Sequence, residues 1–108
     1  MDFKNVFDNL KTEILSLIKE RFGKESDVIK GDVTQYLDNS KGKIEKWGVL
    51  LAKGDITKAE LEILLQSQKE LMLLHGLHKA GIAKARIGHF KNTVSKLVLN
   101  TVLATVGI

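Results

Sequence analysis

The stretch Lys53-Gly54-Asp55-Ile56-Thr57-Lys58-Ala59-Glu60-Leu61 decides how the rest of the chain is read. Gly54 suits the left-handed residue that ends a helix, because it has no Cβ to clash there. Thr57 can cap the helix that follows, and Glu60, three positions on, can reach back to complete a capping box. Ile56 and Leu61 stand at the two positions of a hydrophobic staple. All four features agree on one boundary: a helical segment ends at residue 53, a turn occupies 54–57, and a second helical segment begins at 58.

Upstream of that turn, Phe3, Phe7, Leu10, Ile14, Ile18 and Phe22 recur every three or four residues, and the phase continues through Ile29, Val33, Leu37, Ser40, Ile44, Trp47 and Leu51. The average step of about 3.7 residues is close to the natural helical repeat. Downstream, Leu61, Leu65, Met72, Ala80, Ala83, Ile87, Phe90, Val94 and Val98 trace a second stripe. There is no Pro, aromatics make up 6%, and strand-type alternation never lasts more than a few residues. The expectation is an all-α chain forming a single helical domain over 1–108. Its segments 2–53 and 58–106 pack as an antiparallel hairpin of long helices, completed into a helical bundle by dimerisation. Two unbroken helices of about 50 residues would each run roughly 75 Å. The alternative is a compact three- or four-helix bundle within one chain. Gly23, Gly31, Gly42, Gly48, Gly76, Gly81 and Gly88 favour that alternative, since each costs about 1 kcal/mol inside a helix. In that alternative the breaks fall near 23–26 and 38–42, where turn formers and cap residues cluster.

The second segment carries more apolar surface than one neighbouring helix can cover. Leu61, Ile63, Leu64 and Leu65, then Leu71, Met72, Leu73 and Leu74, place apolar groups on most faces of two turns, and Leu97 to Val106 does so again. A helix apolar all round is buried all round, and each large side chain left in water forfeits about 1.5–3 kcal/mol. The expected assembly surface is therefore Leu64, Leu65, Leu71, Met72, Leu74, Leu97, Leu99, Val102, Leu103 and Val106, with a dimer as the simplest homo-oligomer. Gly81 and Gly88, seven apart on one side, would let another helix approach closely, either from a second copy or within one chain.

Charge is distributed unevenly. Residues 1–54 hold ten basic and nine acidic side chains, whereas no acid follows Glu70 and the net charge of +4 can be assigned to the last third. At 100° per residue, His75, His78, Lys79, Arg86, His89 and Lys96 share about a third of the helix circumference, beside an apolar sector of Ala80, Ala83, Ile87, Phe90 and Val94. A solvated face pairing with Asp27, Asp32 and Asp38 is the plainest reading. An anionic membrane surface comes next, then an acidic protein, with nucleic acid the least favoured partner. The uncharged tail LVLNTVLATVGI has twelve residues, short of the about 20 that a spanning helix needs.

Tests for chemistry fail. His75 and His78 are spaced to share a metal, but a zinc site wants three or four protein ligands, and His89 is about 16 Å further along the axis. Glu60 and Glu62 point in different directions on a helix, and the glycines form no phosphate-binding pattern. Tyr36 and Trp47 read as core residues. Without Cys there is no disulfide, thiolate metal site or cysteine nucleophile. No cofactor or metal is expected. The start MDFKNVFDNL lacks the basic and apolar regions of a signal peptide, which makes the cytosol the default compartment. The functional expectation is a non-enzymatic, self-associating helical protein acting through a helix-built interaction surface. The alternative is a membrane-associating or membrane-active protein using its basic C-terminal helix.

Overall fold

The turn around Gly54 is built as its residues dictate. A computed structural model describes residues 3–72, 74, 79 and 81–107, with the side chain of Glu25 undescribed. At Gly54 φ is +78°. Its N–H bonds Leu51 O at 3.1 Å and the Asp55 N–H bonds Leu50 O at 2.9 Å, the paired bonds of a Schellman ending. Thr57 Oγ1 accepts from the Glu60 N–H while a Glu60 carboxylate oxygen accepts from the Thr57 N–H, each at 3.1 Å. Thr57→Ala is therefore expected to cost about 1 kcal/mol and to lower Tm by roughly 5 °C in a thermal melt followed by circular dichroism. An unchanged Tm would mean that burial of Leu61 and Leu65 alone anchors this helix.

Among the described residues there are four α-helices and no strand: α1 (Phe3–Phe22), α2 (Ser26–Ala52), α3 (Lys58–Lys69) and α4 (Lys84–Val106). The chain is an all-α helical bundle. Of the two arrangements open to it, the compact one is adopted. Neither long segment stays whole, the radius of gyration is 14.0 Å, and the molecule measures 43 × 24 × 20 Å.

The break at 23 forms and the one expected at 38–42 does not. Gly23 takes φ +41°, and one turn of 3-10 helix over Gly23–Glu25 reverses the chain. The apolar stripe of the first half thus becomes two stripes that face each other. Phe3, Phe7, Leu10, Ile14, Ile18 and Phe22 are buried on α1, and Ile29, Val33, Leu37, Ile44 and Leu51 on α2. Lys11 pairs with Asp38 at 2.6 Å, and the Phe3 ring lies so close to Gly48 that a Cβ there would fall 2.5 Å from it. Both pairings fit one antiparallel register. Asp38, Asn39 and Gly42 stand exposed on the outer side of α2. The helix passes through them because Val33, Leu37, Ser40 and Ile44 keep phase on its inner side, and packing outweighs weak local propensity.

The second half differs from the expectation of one helix over 58–106. α3 stops after twelve residues, and two tight i→i+3 bonds, Leu71 N–H to Gln68 O and Met72 N–H to Lys69 O, wind down its end. Met72 and Leu74 are then buried in the core, so the chain leaves its helical path with side chains still to place inside. Gly81, at φ +76°, precedes α4. Gln68 meets Ser40 across α2 and α3, and Lys69 meets Asn92 across α3 and α4. Phe22 meets Phe90 across α1 and α4. These contacts give an up-down-up-down order.

Candidate functional site

Folding back changes which apolar residues remain for a partner. Of the ten expected assembly residues, Leu65, Met72, Leu74, Val102 and Leu103 are buried within the single chain. Leu64, Leu97, Leu99 and Val106 are half-buried, and only Leu71 is exposed, at 60%. The apolar excess of the second half is thus mostly satisfied by α1 and α2, which cover the sides that α3 and α4 do not cover for each other. The sequence shows how much greasy surface there is, but not how many helices the chain itself brings to it.

What remains outside is concentrated on α3. Ile63, 65% exposed, shares one side of the helix with Ala59, Ser67 and Glu70, and Leu71 follows at the helix end. Ala59, Glu62, Ile63, Gln66, Ser67 and Glu70 border a shallow depression along this side. Val28, on α2, is the other large apolar side chain standing in solvent among the described residues. Ile63 did not stand out in the sequence because its neighbours Leu64 and Leu65 are equally apolar, and only the fold shows which of the three faces outward.

The expected basic face is present in part. Lys79, Arg86, His89 and Lys96 are exposed, while His75 and His78 lie outside the described residues. Arg86 is engaged: its Nη2 donates to Arg21 O at 3.0 Å, and the guanidinium lies 5.0 Å from the Phe22 ring centre. It therefore closes the C-terminal end of α1, where unpaired carbonyls and the helix dipole favour a cation. Asp38, named as an acid for the basic face, is held by Lys11 of α1 instead. Ile87, Phe90 and Val94 of the adjoining apolar sector are buried in the core. Ala83 is exposed, and Ala80 lies outside the described residues. Among the described residues no helix of the same chain packs closely on Gly81 or Gly88, since a Cβ at either would meet nothing within 4 Å.

Ser40 and Tyr36 are buried as the apolar phase of the first half suggests, whereas Gln68 had no signal in the hydrophobic pattern. Gln68 is buried and donates through Nε2 to Ser40 Oγ at 2.9 Å. Tyr36 is buried nearby on α2, and its hydroxyl has no hydrogen-bond partner among the described residues. Burial pushes its phenol up to about 12, with the Ser40 hydroxyl acting in the opposite direction. Trp47 is half-buried against the core. Among the described residues no three His, Asp or Glu side chains gather as metal ligands, and no helix is long and apolar enough to cross a membrane.

No family model, curated protein or solved structure matches this chain.

Proposed function

We propose that this is a non-enzymatic protein that works by self-association, in the cytosol, through the outer side of α3 and the turn that follows it. The observation that supports the reading is that, of the three large apolar side chains more than half exposed among the described residues, Ile63 and Leu71 lie on α3 and the turn that follows it. Each gains about 1.5–3 kcal/mol if buried, and α3 offers Ile63 from a rigid helix with little ordering cost. A two-fold dimer would set α3 of one copy against α3 of the other, since an isologous contact uses the same patch twice. Attachment to a membrane through α4 draws less support. Its apolar sector would have to withdraw Ile87, Phe90 and Val94 from the core before it could meet lipid.

Light scattering tests the proposal. The wild-type chain, 12.0 kDa as a monomer, is expected at twice that mass at micromolar concentration. Ile63→Glu or Leu71→Glu should weaken association by nearly a thousandfold, since a two-fold dimer loses the anchor from both copies, each worth about 2 kcal/mol, with helicity unchanged. A single-chain mass for the wild type at every concentration tested would overturn the reading.

A further inference from the structure

After Glu70 the chain holds five Lys and Arg residues and no acid, and the fold gathers two of those cations with a third from α3. Lys84 and Lys91 of α4, together with Lys69, Glu70, Gly88 and Asn92, line a cleft of about 280 Å³ between the end of α3 and the start of α4. The Lys69 ammonium donates to Asn92 Oδ1. That contact ties the two helices together at the cleft and leaves both amide hydrogens of Asn92 available as donors. Lys69 and Lys91 are half-buried. Neither Lys84, Lys91 nor Glu70 has an ion-pair partner among the described residues. Among the described residues nothing lies within 4 Å of where a Cβ on Gly88 would sit. Three lysines and one carboxylate thus line one concavity, an excess of about two positive charges.

We propose that this cleft binds a small dianion of the phosphate-monoester class. Ammonium groups are compact point charges that can meet a tetrahedral dianion from several directions, without the fixed bidentate geometry by which an arginine fork grips a carboxylate or a phosphate. No arginine lines the cleft, and Arg86 nearby is committed to Arg21 O and Phe22. The volume is at the small end for ligand pockets, which suits a phosphate carrying a short organic group rather than a polymer. Glu70 opposes the anion and keeps the expected affinity modest. The site does not depend on self-association through Ile63 and Leu71.

The test uses the full chain labelled with nitrogen-15 and titrated with inorganic phosphate at low ionic strength, with chloride at matched ionic strength as the control. Saturable shifts of the Gly88 and Asn92 amides are expected with phosphate and not with chloride. Binding should weaken about tenfold in Lys84→Ala, the effect of losing one charge-assisted contact, and vanish in Lys84→Ala/Lys91→Ala. It should tighten in Glu70→Gln and stay unchanged in Lys43→Ala, which alters an exposed lysine of α2 outside the cleft. Helicity is followed in each variant. A second arm measures flotation with phosphatidylcholine vesicles containing phosphatidic acid. Shifts with free phosphate assign the site to a soluble ester. Vesicle binding without such shifts, lost in the double variant and kept in Lys43→Ala, assigns the same chemistry to a lipid headgroup. The proposal is overturned if phosphate gives no saturable shift and vesicles do not bind, or if Lys43→Ala loses as much binding as Lys84→Ala.

Discussion

Phe90→Ala is expected to cost about 3–5 kcal/mol, a large share of the about 5–15 kcal/mol that holds a domain of this size together. Phe90 is 1% exposed, and truncation removes its transfer free energy while leaving a cavity that rigid neighbours only partly fill. The ring meets Phe22 edge-on, with centroids 5.2 Å apart and planes at 84°, an arrangement worth about 0.5–1.5 kcal/mol beyond burial. Phe22 also carries Arg86 against its ring, and Arg86 in turn reaches Arg21 O. Phe90 therefore holds the corner where α4 docks onto the end of α1. Urea denaturation checks the value. Arg86→Ala, by comparison, should cost about 1 kcal/mol, since it removes one exposed hydrogen bond and a partly solvated cation–π contact. A loss below about 1.5 kcal/mol for Phe90→Ala would mean that the start of α4 is not packed on α1 in solution.

That corner also shows where a single sequence stops being informative. In α1 the apolar residues keep one phase against polar neighbours, so all six could be assigned to one face, and all six are buried. The Gly54 turn was equally legible because its helix end, cap and staple are all local devices. Between Leu61 and Leu74 the apolar residues occupy nearly every face, so periodicity carries no phase and cannot show that the helix ends at Lys69. The start of α4 is silent for a related reason: Ala83 stands at the cap position and makes no side-chain bond, leaving nothing like Thr57 and Glu60 to mark it. Around Asp38-Asn39-Ser40-Lys41-Gly42 the error runs the other way. Local composition reads as a turn, while long-range packing of Leu37 and Ile44 keeps the helix intact. The candidate surface was half legible in the same sense, because Leu71 was read as an assembly residue but its companion Ile63 could be separated from Leu64 and Leu65 only once α3 had neighbours.

Ser40→Ala is expected to destabilise the chain by about 1–3 kcal/mol, although it removes only one hydroxyl. Gln68 is 7% exposed, and Ser40 Oγ accepts from its Nε2, so the alanine leaves a buried amide donor without that acceptor. Gln68→Leu should cost less, because the orphaned serine hydroxyl can turn back to the carbonyl four residues earlier in its own helix. The double variant Ser40→Ala/Gln68→Leu replaces both polar partners with apolar groups and should return close to wild-type stability. The cycle would then give a coupling of about 1–2 kcal/mol, measured by urea denaturation. Additive losses would show that the two side chains do not act as a pair. A second readout separates stability from register. α3 buries only Leu61, Leu65 and Gln68 on its inner side, and two leucines allow the helix to settle in more than one position against α2, whereas a buried polar pair is satisfied in only one. The double variant should therefore keep its stability yet exchange the amides of 58–69 faster than wild type. Because the outer side of the same helix carries Ile63, a loosened register should also weaken self-association through a substitution that never touches the exposed surface. Unchanged exchange in α3 would confine the Ser40–Gln68 pair to stability and leave the two leucines as the whole of its register.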